Sequence, residues 1–353
     1  MKIERVKDMD RNVNIRLDMN ENPFGPSPMA AEAVINNIKM ISLYKDMRGD
    51  ILRPVLAEHY NIIPEKITVN NNGGSAGLLL YFIQLFAEPE DEIIFSRESF
   101  TNLLFTLHKV NEKYKTVAIP TIRWRHDLDA MINAVTSKTR LIYIVNPDNP
   151  TGAWIRHGEL SDFLFQIPEH IVVVIDEAYY EYATYLIGDE YPDSMELQKK
   201  FPNLIITRTF SKAYGLAGLR IGYSISDTKI AESLNKERLL FSITSPALMA
   251  APATLKDKKH LRRTLENNRN GIEYIQNSLS GTNIAYIPSK ATNFVTLDLG
   301  EKAGTVRQKL MERSIAVADL AGYKMFGKLR VTVGLPEQNT AFIENFGDIL
   351  SKI

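Results

Sequence analysis

Residues 204–225 read LIITRTFSKAYGLAGLRIGYSI, and this stretch decides the fold. Its two apolar runs, LIITRT (204–209) and RIGYSI (220–225), flank a glycine-containing turn that carries Lys212. Continuous apolar runs rich in isoleucine suit strands that are buried on both faces of a sheet. The stretch therefore predicts two neighbouring buried strands with a candidate functional loop between them.

The same kind of run recurs through the first two-thirds of the chain. The further strand candidates are KITVN (66–70), DEIIF (91–95), YKTVAI (114–119), RLIYIV (140–145) and IVVVID (171–176). Helical segments such as SAGLLLYFIQLF (75–86) and GELSDFLFQI (158–167) lie between them. Alternating strands and helices favour an α/β fold, here with a mostly parallel seven-stranded sheet covered by helices.

The pattern changes after Ser245, where consecutive helices are predicted up to residue 280. The elements expected beyond them are TNFVTLDL (292–299), a helix near 303–313, SIAVAD (314–319), KLRVTV (328–333) and a closing helix near 337–350. This mixture predicts a smaller α+β domain.

Three units are therefore expected along the chain. Residues 1–43 form an N-terminal segment that packs with the small domain, residues 44–250 the large domain and residues 251–353 the small one. The N-terminal segment has a helix of its own, with Ser27 as its N-cap and Pro28 at its first position.

Composition excludes several classes of function. The chain has 42 basic and 42 acidic side chains, so its charge suggests neither nucleic acid nor an anionic membrane as a partner. It has no cysteine, which excludes disulfides and thiolate chemistry and fits a cytoplasmic location. We expect no membrane span and, because the six histidines lack paired ligand spacing, no metal site.

Polar loops follow several of the predicted strands. They are NNGGSAG (71–77), NPDNPTG (146–152), DEAYYEY (176–182) and TFSKAYGLAGLR (209–220). Ligands of open parallel sheets bind at the carboxyl ends of the strands, so these loops are the candidate site. The glycines of the first loop permit close backbone approach, and the helix after it offers free N–H groups to a phosphate.

Lys212 lies just beyond a buried strand, between Thr209 and Ser211 on one side and Arg220 on the other. Cationic neighbours lower the pKa of a lysine and suit it to Schiff-base chemistry. Hydroxyl groups and a guanidinium suit a phosphate. On its own, however, a lysine in a turn is more often a solvated surface residue.

Asp176 ends an apolar strand, and a buried carboxylate needs a partner. A protonated pyridine nitrogen is one such partner; a helix N-terminus or an arginine is another. Tyr179 and Asn149 are suited to donate hydrogen bonds to a phenolic oxygen. Alternatively, Tyr179 is a core residue and Asn149 belongs to a turn. Phe100 is suited to stack on a planar ring, or serves packing alone.

Taken together, these segments resemble the fold-type I aminotransferases that use pyridoxal 5′-phosphate (PLP), and among them the histidinol-phosphate aminotransferase branch. The resemblance covers nearly the whole chain. It is carried by LDMNENPFGPSP (17–28), NPDNPTG (146–152), VIDEAYYEY (174–182) and TRTFSKAYGLAGLRIGY (207–223).

The resemblance implies a role for each matched residue. Lys212 would form the Schiff base and shuttle protons, Asp176 would pair with the pyridine nitrogen, and Tyr179 and Asn149 would hold the ring hydroxyl. Phe100 matches the aromatic residue that stacks on the ring.

Further matches concern the phosphate, the partner subunit and the substrate. The implied phosphate ligands are Thr209, Ser211, Arg220 and the backbone of Gly74 and Ser75. Tyr44 matches a tyrosine that reaches the cofactor of the neighbouring subunit, which implies a homodimer with shared active sites. Arg330 matches the arginine that grips the anionic group of the substrate, and Asn22 lies in the N-terminal signature near the substrate pocket.

The sequence departs from the branch in two places. Ala76 follows Gly74 and Ser75 where the branch carries an acidic pair. VADLAG (317–322) has Ala318 before Asp319 where the branch has an arginine that helps to bind the substrate phosphate. A hydrogen bond to a charged group contributes about 1.5–3 kcal/mol, so its loss argues for a phosphorylated substrate other than histidinol phosphate.

The expected activity is amino-group transfer between an amino donor, by analogy glutamate, and a small phosphorylated keto acceptor. The alternative is a PLP-dependent decarboxylase of O-phosphothreonine or O-phosphoserine, which would use the same cofactor residues. A non-catalytic binding module of this fold is a third possibility. The presence of Lys212, Asp176 and Arg220 argues against it.

Overall fold

The computed structural model describes residues 14–46, 48–70, 73–100, 114–282, 284–288 and 290–353. The strands in these ranges are β1 Ile15–Leu17, β2 Ile67–Asn70, β3 Glu92–Ser96, β4 Lys115–Ile119, β5 Thr139–Val145, β6 Val172–Asp176, β7 Leu204–Thr209, β8 Gly222–Ile225, β9 Ala285–Ile287, β10 Phe294–Asp298, β11 Ile315–Asp319 and β12 Lys328–Thr332.

The helices of the same ranges cover both sheets. They are α1 Pro28–Asn36, α2 Leu52–Tyr60, α3 Ser75–Phe86, α4 Leu128–Asn133, α5 His157–Gln166, α6 Tyr180–Ile187, α7 Ser194–Lys200, α8 Thr228–Glu237, α9 Ser245–Lys256, α10 Lys258–Leu279, α11 Ala303–Glu312 and α12 Pro336–Leu350. No helix within these ranges combines the length and the apolar character that a membrane crossing requires.

The larger sheet has seven strands in the order β2-β8-β7-β6-β5-β3-β4. Only β8 runs antiparallel to its neighbours, β2 and β7, so the prediction of a mostly parallel seven-stranded sheet is confirmed. Strands β6 and β7 are buried along their whole length because helices cover both faces. One face packs on α2, α5 and α9, and the other packs on α3 and α8.

The smaller sheet has the order β1-β11-β12-β10-β9 and packs against α10, α11 and α12. Its pairings are antiparallel except that of β1 with β11. The N-terminal strand thus joins this sheet, while α1 packs against α9 beside the larger sheet. Ser27 Oγ accepts the Ala30 amide at 3.1 Å, which confirms the predicted N-cap of α1. The domain boundaries stay a prediction.

Candidate active site

A cavity of about 510 Å³ opens at the carboxyl ends of β5, β6 and β7, beside the start of α3. Parallel neighbours bring these strand ends to one edge of the sheet, as the sequence predicts. The predicted site residues that line the cavity are Ser75, Phe100, Asn149, Asp176, Tyr179, Thr209, Ser211, Lys212, Arg220 and Arg330. Gly74 lies between two lining residues, Gly73 and Ser75.

Lys212 extends its amine into this cavity from the loop after β7, and its Nζ donates to the Met19 carbonyl at 3.1 Å. Burial, followed by the positive charge of Arg330, lowers the pKa of Lys212 to about 8. The carboxylate of Glu21 opposes this shift only in part. A substantial fraction of the amine is therefore neutral near physiological pH, which is the form that attacks a carbonyl.

Asp176 ends β6 and is almost fully buried. Its Oδ2 accepts the Tyr143 hydroxyl at 2.7 Å, and the Thr207 side chain and the Ala178 backbone amide are further hydrogen-bond donors to the carboxylate. Burial raises the pKa of Asp176, and the hydrogen bond from Tyr143 opposes that rise. Asp176 lines the cavity, and a buried carboxylate in such a place fits a cationic N–H donor such as a protonated ring nitrogen.

Two hydrogen-bond donors lie beside this carboxylate in the cavity wall. Burial raises the pKa of Tyr179, so its phenol keeps its proton. The Asn149 Oδ1 already accepts a hydrogen bond from Arg330, which leaves the amide nitrogen as the donor that can serve a ligand. Both side chains are thus able to donate to an oxygen on a bound ring.

The opposite end of the cavity is suited to a phosphate. Helix α3 begins at Ser75, directly after Gly74 with its φ of +71°, and the N-terminus of a helix favours an anion. The Thr209 and Ser211 hydroxyls lie 2.9 Å apart in the same wall. Arg220 donates to the Gly73 carbonyl at 3.1 Å, which ties its guanidinium to the glycine loop.

This geometry agrees with what the comparisons with known proteins found. Residues 12–346 match the family model of aminotransferase class I and II. The chain belongs to this family. Histidinol-phosphate aminotransferase 2 of Pasteurella multocida is 39% identical over 349 residues, which are 98% of this chain and 93% of the relative. Histidinol-phosphate aminotransferase 1 of Nitrosococcus oceani is 39% identical over 351 residues, with the same two coverages.

The fold has a matching solved structure, that of histidinol-phosphate aminotransferase from Sinorhizobium meliloti in complex with PLP. It superposes with a TM-score of 0.87 and 28% identity, covering 96% of this chain and 92% of that one. The predictions of the fold-type I architecture, of an aminotransferase and of PLP as its cofactor are confirmed. When bound, PLP supplies an electron sink that stabilises negative charge at the substrate carbon.

The side of the aminotransferase cavity that we predict to bind substrate includes a residue of the smaller sheet. Arg330 on β12 is buried, and one of its terminal nitrogens donates to the Asp18 carbonyl at 2.8 Å. Its Nε is buried without a hydrogen bond among the described residues. Ala318 lies opposite Arg330 on β11 and adds no guanidinium, while Glu21 and Tyr323 complete the wall.

Two predicted residues lie elsewhere in the aminotransferase. Asn22 is not among the residues that line the cavity, and its amide donates to the Ala213 carbonyl at 2.9 Å and to the Thr264 hydroxyl at 3.0 Å; its place near the substrate stays a prediction. It therefore ties the loop after Lys212 to α10. Tyr44 lies outside the cavity with 86% of its surface exposed.

Sequence reasoning missed two residues that form hydrogen bonds with predicted site residues of the aminotransferase. Asn20 donates to the Tyr179 hydroxyl at 2.7 Å, and Tyr143 donates to Asp176. The available signals were weak: Asn20 lies in the N-terminal signature, and Tyr143 is the one hydroxyl-bearing side chain in the apolar run RLIYIV (140–145).

Proposed function

We propose that this aminotransferase exchanges an amino group between glutamate and a small phosphorylated keto or amino substrate. One observation carries the proposal: Lys212, with its lowered pKa, lines the same cavity as Asp176, an almost fully buried acidic residue. A nucleophilic amine and a carboxylate for a ring nitrogen are the two groups that PLP chemistry needs from the protein.

The other residues of the cavity receive roles that follow from their chemistry. Lys212 holds the cofactor and, once released, moves the proton at the substrate carbon. Asp176 holds the ring nitrogen charged, and Phe100 stacks on the ring. The donors to the ring oxygen are Tyr179 and Asn149, and the phosphate ligands are Thr209, Ser211, Arg220 and the backbone of Gly74 and Ser75.

Charge in the cavity supports a small substrate. Among the described residues the cations that line it are Lys212, Arg220 and Arg330. The first two serve the cofactor in this scheme, so Arg330 alone grips the anionic group of each substrate in turn. The curated relatives are named for histidinol phosphate, which is therefore the reference substrate; Ala318 favours a smaller phosphorylated one.

A homodimer with shared active sites is also part of the proposal. Tyr44 lines a second cavity of about 680 Å³, which shares Gly218 and Arg220 with the first. Its rim exposes apolar side chains, namely Ile41, Leu43 and Phe241. An apolar face of this kind suits a second copy of the chain. The cytoplasmic location stays a prediction.

The first experiment tests the cofactor linkage. Borohydride reduction of the PLP-loaded protein should fix the cofactor on Lys212, as read by peptide mass spectrometry, and Lys212→Ala should abolish the labelled peptide. Label on another lysine would overturn the scheme. Glutamate should convert the spectrum of the bound cofactor to that of its amine form, and 2-oxoglutarate should restore it.

The second experiment tests the substrate. Initial rates with histidinol phosphate and with smaller phosphorylated amines should favour the smaller ones, and Ala318→Arg should shift the ratio toward histidinol phosphate, with Ala318→Gln as the neutral control. Faster turnover of histidinol phosphate by the wild type would refute the inference that Ala318 favours a smaller substrate. Carbon dioxide release without a keto acceptor would favour the decarboxylase alternative.

A further inference from the structure

Asn20 is one of the residues that line the cavity, has only 1% of its surface exposed, and adopts a left-handed backbone φ of +55°. Its backbone amide donates to Thr332 Oγ1 at 3.0 Å, and its carbonyl accepts from the Asn293 amide at 3.1 Å. Its side chain bonds to Thr332 Oγ1 through Oδ1 at 3.0 Å and to Tyr179 through Nδ2 at 2.7 Å. Every polar group of Asn20 is therefore used.

These bonds fix the orientation of the amide. Thr332 Oγ1 accepts the backbone N–H of Asn20, and its single proton is donated to Asn20 Oδ1. Reversing the amide would leave that proton without an acceptor among the described residues, a costly loss in a buried site. Oδ1 therefore faces Thr332, and Nδ2 faces the Tyr179 oxygen as a donor.

This orientation has a consequence for Tyr179. Because its oxygen accepts from Asn20, its own proton cannot be given to Asn20 and is directed elsewhere. Tyr179 lines the cavity, so an oxygen of a bound ligand is an available acceptor for this proton. The residue before Asn20, Met19, accepts a hydrogen bond from the Lys212 amine through its backbone carbonyl.

We propose that Asn20 is a positioning residue that directs the Tyr179 proton into the cavity, toward the ring oxygen of the cofactor. This rests on the proposed role of Tyr179 and adds the group that sets the direction of its hydrogen bond. An aspartate of the same shape would do the opposite, since a carboxylate can only accept and would take the proton away from the cavity.

The groups that act on Tyr179 must be held constant in any test. They are Arg330, whose charge favours ionisation of the phenol, Asp176 and Tyr323, which oppose it, and the Lys212 amine, which lies 5.9 Å from the tyrosine ring centroid. None of them is changed by a substitution at position 20. The observable is the pH midpoint of the absorbance change of the PLP-loaded enzyme, which depends on hydrogen bonds to the ring oxygen.

The experiment compares Asn20→Asp, Asn20→Gly and Tyr179→Phe with the wild type. Tyr179→Phe should raise the midpoint by about one pH unit or more, because loss of the donor makes the linked nitrogen hold its proton more tightly. Asn20→Asp should raise it by as much. Asn20→Gly tolerates the left-handed φ and leaves the Tyr179 proton available, so its shift should be less than half as large.

A double variant distinguishes an effect on the direction of the Tyr179 proton from a direct effect of the aspartate charge. In the Tyr179→Phe background Asn20→Asp should add little; an equal further shift would show that the carboxylate acts only through its charge and would overturn the proposal. So would equal shifts for Asn20→Asp and Asn20→Gly. No shift for Tyr179→Phe itself would instead refute the proposed role of Tyr179.

Variants at Thr332 test the same mechanism with Asn20 intact, so the test does not depend on correct folding of the Asn20 variants. Thr332→Val removes the hydroxyl that fixes the amide, so the amide can reverse and accept from Tyr179; the midpoint should rise. Thr332→Ser keeps the hydroxyl and should titrate like the wild type. A wild-type midpoint for Thr332→Val, with folding confirmed by circular dichroism, would contradict the mechanism.

Discussion

At the scale of single residues, Lys212 makes the most direct prediction. Because its pKa in the cofactor-free protein is about 8, the fraction of neutral amine increases as the pH rises toward that value. The rate at which apoprotein forms its covalent bond to added PLP should rise about tenfold per pH unit below the pKa and level off above it. Stopped-flow absorbance gives the profile, with Lys212→Arg as the unreactive control. A midpoint near the ordinary lysine value of 10.5 would contradict the geometry.

Tyr143 makes a second prediction through Asp176. Tyr143→Phe removes the donor to Oδ2, so the pKa of the carboxyl rises beyond the elevation that burial already causes. Because the ionised form is the active one, the acidic limb of the pH–rate profile should move to higher pH, and kcat should fall about ten- to hundredfold. Tyr81→Phe, whose hydroxyl contacts Leu239 instead, is the matched control. An unchanged acidic limb would show that Tyr143 only packs.

The residues that sequence reasoning found and missed differ in a physical way. Lys212 and Asp176 stand out because each directly follows or ends an apolar run, where a charge is conspicuous. Asn20 has no such local contrast: its role arises from Thr332, which is 312 positions away along the chain. Asn22 lies in the same signature, and nothing in the sequence distinguishes which of the two amides lines the cavity.

At the scale of elements, the junction of β8 with α3 makes a third prediction. A Cβ placed at Gly222 would lie 2.3 Å from the Ser75 nitrogen and 2.9 Å from the Gly74 carbonyl carbon, both backbone atoms. Gly222→Ala should therefore displace the start of α3, cost about 1–3 kcal/mol of stability and weaken PLP binding about tenfold or more. Gly158→Ala in α5 meets open space and should bind PLP normally. Spectral titration of the apoproteins measures both affinities.

A helix or strand can be predicted from sequence when its burial is reflected in its own pattern of apolar residues. The strands of the larger sheet are covered on both faces, so continuous apolar runs reveal them. β1 and β9 are three residues long, and neither was predicted. Each is paired with another strand, β1 with β11 and β9 with β10, and three residues are too few to show a periodic signal of their own.

At the scale of the whole molecule, the cavity combines groups from both sheets. Asp176 ends β6 and Lys212 follows β7 of the larger sheet, whereas Arg330 lies on β12 and Asn20 follows β1 of the smaller one. The hydrogen bonds from Arg330 to Asn149 and from Asn20 to Tyr179 cross between the two groups. A relative movement of the sheets would therefore change the substrate side and the cofactor side of the cavity together.

The shared-site homodimer makes the last prediction. Sedimentation should give twice the chain mass of 40.0 kDa, and Tyr44→Ala should weaken PLP binding although the residue lies outside the cavity of its own chain. Lys212→Ala and Tyr44→Ala homodimers, unfolded and refolded together, should form heterodimers in which one site has both residues intact. That site should regain wild-type activity and PLP affinity, to about one quarter of the total in an equal mixture. Activity no higher than the sum of the separately refolded variants would show that Tyr44 serves its own chain.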